Sequence, residues 1–107
     1  MRFGIGLLVI CGVLAGCSND SEKLRFDGQF YRTKLSGLEE RHQFRVTAAP
    51  VSASLTGARE AARYEATVFC VNEYGSSAIA WVVGPDDPDD ALPIANDTLT
   101  LQGACPQ

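Results

Sequence analysis

Residues able to carry chemistry are scarce in this chain. Its 107 residues include one His, one Trp and one Met, and its four cysteines form no Cys-x-x-Cys pair. That spacing is the usual mark of a redox or metal-binding thiol pair, so its absence argues against both. A Gly-x-Ser-x-Gly nucleophile elbow is also missing. Positive charge is not in excess: the formal net charge is −4. A chain without a basic field is a poor binder of nucleic-acid backbone. No apolar run approaches the roughly 20 residues that a membrane-spanning helix requires. The length allows one domain rather than two. Its 46% apolar and 21% charged residues are ordinary for a globular protein.

The longest apolar stretch lies at the start. Arg2 is followed by Phe3–Leu14, a run of apolar and small residues only. As a helix it would reach about 18 Å, well short of a hydrocarbon core of roughly 30 Å. A cationic start and a short apolar run describe the first two regions of a signal peptide. Leu14-Ala15-Gly16-Cys17 comes next. This segment resembles the bacterial lipobox, the motif cut by the lipoprotein signal peptidase. The resemblance covers residues 1–18. It implies removal of residues 1–16, diacylation of the Cys17 thiol and usually acylation of the new amino group. Two or three acyl chains anchor a protein stably where one holds it only marginally. Ser18, by analogy with enterobacterial lipoproteins, favours the outer membrane over inner-membrane retention. Cys11 would leave with the signal peptide. Residues 25–107 carry no comparable resemblance.

Cleavage after Gly16 would leave 91 residues and remove Arg2, making the net charge −5. With Cys17 lipidated, Cys70 and Cys105 remain as an even pair in an oxidising compartment. A disulfide between them is the default expectation. Residues 18–24 are small and polar and read as a tether.

The rest predicts an α+β domain over residues 25–107. Phe26–Leu35 is rich in aromatic and β-branched residues, with Tyr31, Thr33 and Leu35 on one face and Arg32 and Lys34 on the other. After a turn at Ser36–Glu40, His42–Ala48 alternates: His42, Phe44, Val46 and Ala48 inward, Gln43, Arg45 and Thr47 outward. The two runs predict a β-hairpin that Pro50 ends. Residues 57–74 predict a helix. Ser54 or Thr56 would cap it, Ala58, Ala61, Ala62, Val68, Phe69 and Val71 would face the core, and Gly75 would close it. Ala78–Val83 and Thr98–Gln102 predict two more strands, separated by the loop Gly84–Asp90. The order β-β-α-β-β gives a four-stranded, mostly antiparallel sheet with one helix across a face. A parallel pair across the helix is left open by this reading.

Three groups of residues are candidate sites. Asp86, Asp87, Asp89 and Asp90 could offer carboxylates to calcium, although their spacing is not that of an EF-hand and Pro88 stiffens the segment. A solvated loop is the plainer expectation. His42 is the one general-base candidate for a small hydrolase, against a partly buried structural role. Arg32, Lys34, Arg41 and Arg45 could form a basic contact patch on the hairpin, or pair with Glu39 and Glu40. Phe26, Phe30, Tyr31, Tyr64, Tyr74 and Trp81 read as core. No cofactor is expected. The sequence thus points first to a non-catalytic envelope domain held on lipid through Cys17 and contacting an envelope protein or a surface. A small-ligand or calcium module and a His42 hydrolase are the alternatives.

Overall fold

A computed structural model describes residues 24–106. The expected signal peptide, the lipobox and Cys17 lie outside the described residues. Strands β1 (Arg25–Phe26) and β2 (Gln29–Phe30) form a two-stranded ribbon. After β3 (Arg32–Gly37) and β4 (Gln43–Ala49) comes helix α1 (Leu55–Tyr74), and β5 (Ala80–Val83), β6 (Ile94–Ala95) and β7 (Thr98–Ala104) complete the chain. The main sheet runs β3-β4-β7-β5, with β6 also paired to β7, and every pairing is antiparallel.

Among the described residues, the α+β class and the single α-helix agree with the sequence reading, but the sheet has five strands rather than four. The fifth arises because β7 is longer than β5. β5 pairs with Gln102–Ala104 at one end of β7, and β6 pairs with Thr98 and Leu99 at the other. The outer lane is therefore divided between two short strands. β6 turns directly into β7 through Asn96 and Asp97, both with positive φ (54° and 60°). Two successive residues in that region make the tight turn that suits strand twist. The stretch Phe26–Leu35, expected as one strand, is likewise interrupted. Asp27 and Gly28, with φ of 55° and 76°, fold its start into the β1–β2 ribbon. Because β7 lies between β4 and β5, the chain crosses the helix and returns in the same direction without making a parallel pair.

The helix begins two residues before the expected start. The Ser54 hydroxyl accepts from the Gly57 amide at 3.0 Å, and left-handed Gly75 closes the other end by donating its N–H to the Val71 carbonyl at 3.0 Å. The face it buries is narrower than expected. Gly57, Ala58, Ala61, Ala62, Ala66 and Cys70 are buried, whereas Val68 and Val71 are exposed. Small side chains let the helix axis approach the sheet closely, and a narrow stripe suffices for contact with one sheet face. Beneath it lie Phe44, Val46 and Ala48 of β4 and Leu99 and Leu101 of β7, all fully buried. The Cys70–Cys105 disulfide joins the helix to the chain just after β7, with a Cα separation of 5.3 Å. Of the aromatic residues expected in the core, Phe26, Tyr31, Tyr74 and Trp81 pack against it while partly exposed; Phe30 and Tyr64 are about half exposed.

Candidate functional site

The helix covers one face of the sheet, and strand alternation assigns the other face. On β3, the residues pointing away from the helix are Arg32, Lys34 and Ser36. On β4 they include Gln43, Arg45 and Thr47, on β7 Thr98, Thr100 and Gln102, and on β5 Ala80 and Val82. Register places Lys34 beside Thr47, which faces Thr100, and Ser36 beside Arg45, which faces Gln102. Lys34 and Arg45 are thus diagonal neighbours on adjacent strands, within about 7–8 Å at Cα. Arg32, Lys34 and Arg45 are all exposed. The structure therefore gathers three of the four residues of the expected basic patch on one face. The fourth, Arg41, lies in the turn before β4 together with Glu39 and Glu40. None of the face residues is acidic.

The acids collect elsewhere, where two arginines engage them. Arg59 and Arg63, one helical turn apart, both face the loop after β5. The Arg59 Nη1 donates to the carbonyls of Pro85 and Asp87, each at 2.7 Å, and its Nη2 pairs with the Asp89 carboxylate. Arg63 pairs with Asp86 at 2.7 Å and with Glu60 at 3.3 Å. Asp87 accepts from the Gly84 amide at 3.2 Å. Three of the four carboxylates considered for calcium are thus committed to arginine or backbone donors, and Asp90 is exposed. No group of three or more potential metal ligands occurs among the described residues. The loop is also less solvated than its composition suggests, since Pro85 is fully buried.

Arg59 is the residue that holds this loop, and its side chain is only 16% exposed. Arg59→Ala removes a charged donor from two carbonyls at once. Hydrogen bonds to charged groups contribute roughly 1.5–3 kcal/mol, so the expected loss of stability is about 2 kcal/mol. Lysine lacks the planar fork, so Arg59→Lys will recover less than half of that loss. Urea unfolding of the two variants checks both expectations.

The Arg63 guanidinium hydrogen-bonds the Asp86 carboxyl, and its charge adds to the effect, so the Asp86 pKa is lowered. The Arg63 pKa is raised, first by the same hydrogen bond. A lowered carboxyl pKa favours the folded state at neutral pH, and that contribution disappears as the pH falls through the folded pKa. In an NMR titration Asp86 will have its midpoint below the ordinary aspartate value of about 3.9. Arg63→Ala will move it back toward that value.

His42 precedes β4 instead of lying within it. The residue is partly buried, and its backbone carbonyl accepts from the Cys105 amide at 2.8 Å, which ties it to the disulfide. The described residues place no hydroxyl or carboxyl group in a hydrogen bond with its imidazole. A cleft of about 110 Å³ lies between α1 and the first strands, lined by Leu24, Phe26, Tyr31, Thr33, Tyr64 and Glu65. The Glu65 carboxylate is engaged by the Thr33 hydroxyl at 3.1 Å. Small-molecule sites usually enclose roughly 300–1,000 Å³, so this cleft is well below the usual size. No helix among the described residues is long and apolar enough to cross a membrane.

The acid-free sheet face was only half visible in the sequence. The outward residues of each strand could be read from alternation, but which strands lie side by side could not. The roles of Arg59 and Arg63 were hidden for the same reason, because their partners in the loop after β5 lie more than 20 residues away in the chain. No family model matches the chain, and no curated protein or solved structure is detectably similar to it.

Proposed function

We propose that this chain is a lipid-anchored protein of the bacterial envelope, whose globular domain binds another envelope component and catalyses no reaction. The observation that carries this reading is the run of Arg2, the apolar stretch Phe3–Leu14 and Leu14-Ala15-Gly16-Cys17 in the right order and spacing. In this reading Cys17 bears the lipid, Leu14, Ala15 and Gly16 are recognised by the signal peptidase, and Ser18 directs the protein to the outer membrane. The Cys70–Cys105 disulfide is consistent with an oxidising compartment. The open sheet face, with its three exposed cations, is the part of the domain best suited to contact a partner.

Intact mass of the protein from membranes, beside a Cys17→Ala variant, tests the anchor. The expected mass is that of residues 17–107 plus acyl chains, less two protons for the disulfide, and the variant stays uncleaved and unlipidated. A soluble protein, cut elsewhere and carrying no lipid, would sink the proposal.

A further inference from the structure

We propose that the open face of the sheet docks on anionic phospholipid headgroups of the membrane to which the protein is tethered. The inference rests on the lipid-anchor reading for proximity, but its chemistry comes from the fold. The chain has a net charge of −4, yet the face formed by the outward residues of β3, β4, β7 and β5 bears Arg32, Lys34 and Arg45 and no carboxylate. Among the described residues, the ion pairs are Arg59–Asp89, Arg63–Glu60 and Arg63–Asp86, all on the helix side. Charge is thus polarised through the thickness of the domain. The helix side is where arginine and acid neutralise one another; the sheet side presents unbalanced positive charge.

The rest of the face suits a flat, hydrated, anionic surface. Ser36, Gln43, Thr47, Thr98, Thr100 and Gln102 are short polar groups that can hydrogen-bond phosphate oxygens and leave the cations standing proud. Val82, at the β5 edge, is 70% exposed and is the one larger apolar side chain there. A partner protein of ordinary affinity would need a buried apolar or aromatic centre, and this face has none. Seven residues, 18–24, separate Cys17 from β1. Fully extended they span at most about 25 Å. The tether therefore holds the domain where a modest electrostatic attraction is enough to orient it, because binding is already intramolecular.

The test uses the mature lipidated protein in vesicles of phosphatidylcholine, with or without phosphatidylglycerol, doped with a headgroup nitroxide quencher. With Cys17 acylated and Cys70 bridged to Cys105, Thr100→Cys gives a single thiol for a fluorophore at the centre of the face, and Glu73→Cys gives one on the helix. At low salt the Thr100 probe is quenched on phosphatidylglycerol vesicles and the Glu73 probe is not. High salt abolishes the difference, because it shortens the screening length. Replacing Arg32, Lys34 and Arg45 together with glutamine lowers the ratio of docked to undocked protein by about fivefold per charge, on the order of a hundredfold in all. Equal quenching at the two probes, or no dependence on phosphatidylglycerol, overturns the proposal. So does protection of the Thr100 probe by polyglutamate but not by phosphatidylglycerol vesicles, which would assign the face to an acidic protein. Flotation with pure phosphatidylcholine vesicles reports the lipid anchor separately. A protein that fails to float there, yet is quenched at Thr100 on phosphatidylglycerol, loses the anchor and keeps the docking face.

Discussion

Replacing both Cys70 and Cys105 with alanine will lower stability by about 3.8 kcal/mol, the value the chain-entropy model gives for the 35-residue separation between them. For a domain of this size each kcal/mol moves the melting temperature by roughly 4–8 °C, so the expected drop is about 15–30 °C. The bond closes the segment that contains the end of α1, β5, the arginine-held loop and all of β6 and β7. Without it, the unfolded chain regains the freedom of that whole segment. The native side of the equilibrium also loses, because both cysteines are buried, Cys70 on the inner face of α1 and Cys105 directly after β7. Alanine in place of each buried cysteine removes a sulfur from the core and leaves a small cavity. A calorimetric scan of the double variant, compared with the oxidised parent, decides the matter. A shift under 5 °C would mean that packing alone holds β7 against the helix.

The same region shows why some of the fold could be read from sequence and some could not. Phe44, Val46 and Ala48 alternate with polar neighbours, as do Leu99 and Leu101, and each set faces the core as expected. Period-two burial is a local property, so a single strand reveals it. Ser54 and Gly75 were legible as helix ends because a cap is chemistry within a few residues. The two tight turns were harder. Asp27-Gly28 lies inside a stretch of good strand formers, and its turn chemistry was outweighed by their propensity. Asn96-Asp97 joins a strand of only two residues, Ile94–Ala95, too short to show any alternation. Arg59 and Arg63 show the i, i+4 spacing of a charged helix face, which in isolation reads as solvated. Only the crossover from α1 to β5 brings Pro85, Asp86, Asp87 and Asp89 against them. The acid-free face has the same origin: the outward residues of each of the four strands are local facts, but their assembly into one cationic surface depends on the order β3-β4-β7-β5.

Phe44→Ala will have an effect as large as loss of the disulfide. Phe44 is 0% exposed and is one of the largest fully buried side chains. Truncation of a buried phenylalanine costs about 3–5 kcal/mol, through lost transfer energy and the cavity left behind. Here the upper part of that range is expected, for two reasons. Phe44 makes edge-on contacts with Phe69 of the helix at 6.0 Å and with Trp81 of β5 at 5.6 Å. Aromatic pairs in this geometry add about 0.5–1.5 kcal/mol each beyond area burial. The site also has little ability to collapse. Phe44 is paired in register with Gly103, and Trp81 with that same glycine from the other side. A Cβ on Gly103 would come within 3.0 Å of the Trp81 ring, so the indole already lies against bare backbone and its position depends on Phe44 as the opposing wall. Removal of the phenyl group frees Trp81, the single tryptophan, so its fluorescence reports the change directly. Phe44→Ala should lose roughly 4 kcal/mol in urea unfolding and red-shift the native Trp81 emission, whereas Phe44→Leu, which keeps most of the volume, should lose less than half as much. Domains of this kind have only about 5–15 kcal/mol in total. Phe44→Ala combined with loss of the disulfide should therefore leave little folded protein at 37 °C. If Phe44→Ala instead costs under 1 kcal/mol and leaves the emission unchanged, Trp81 does not rest on Phe44, and β5 is held to the sheet by its ladder with β7 alone.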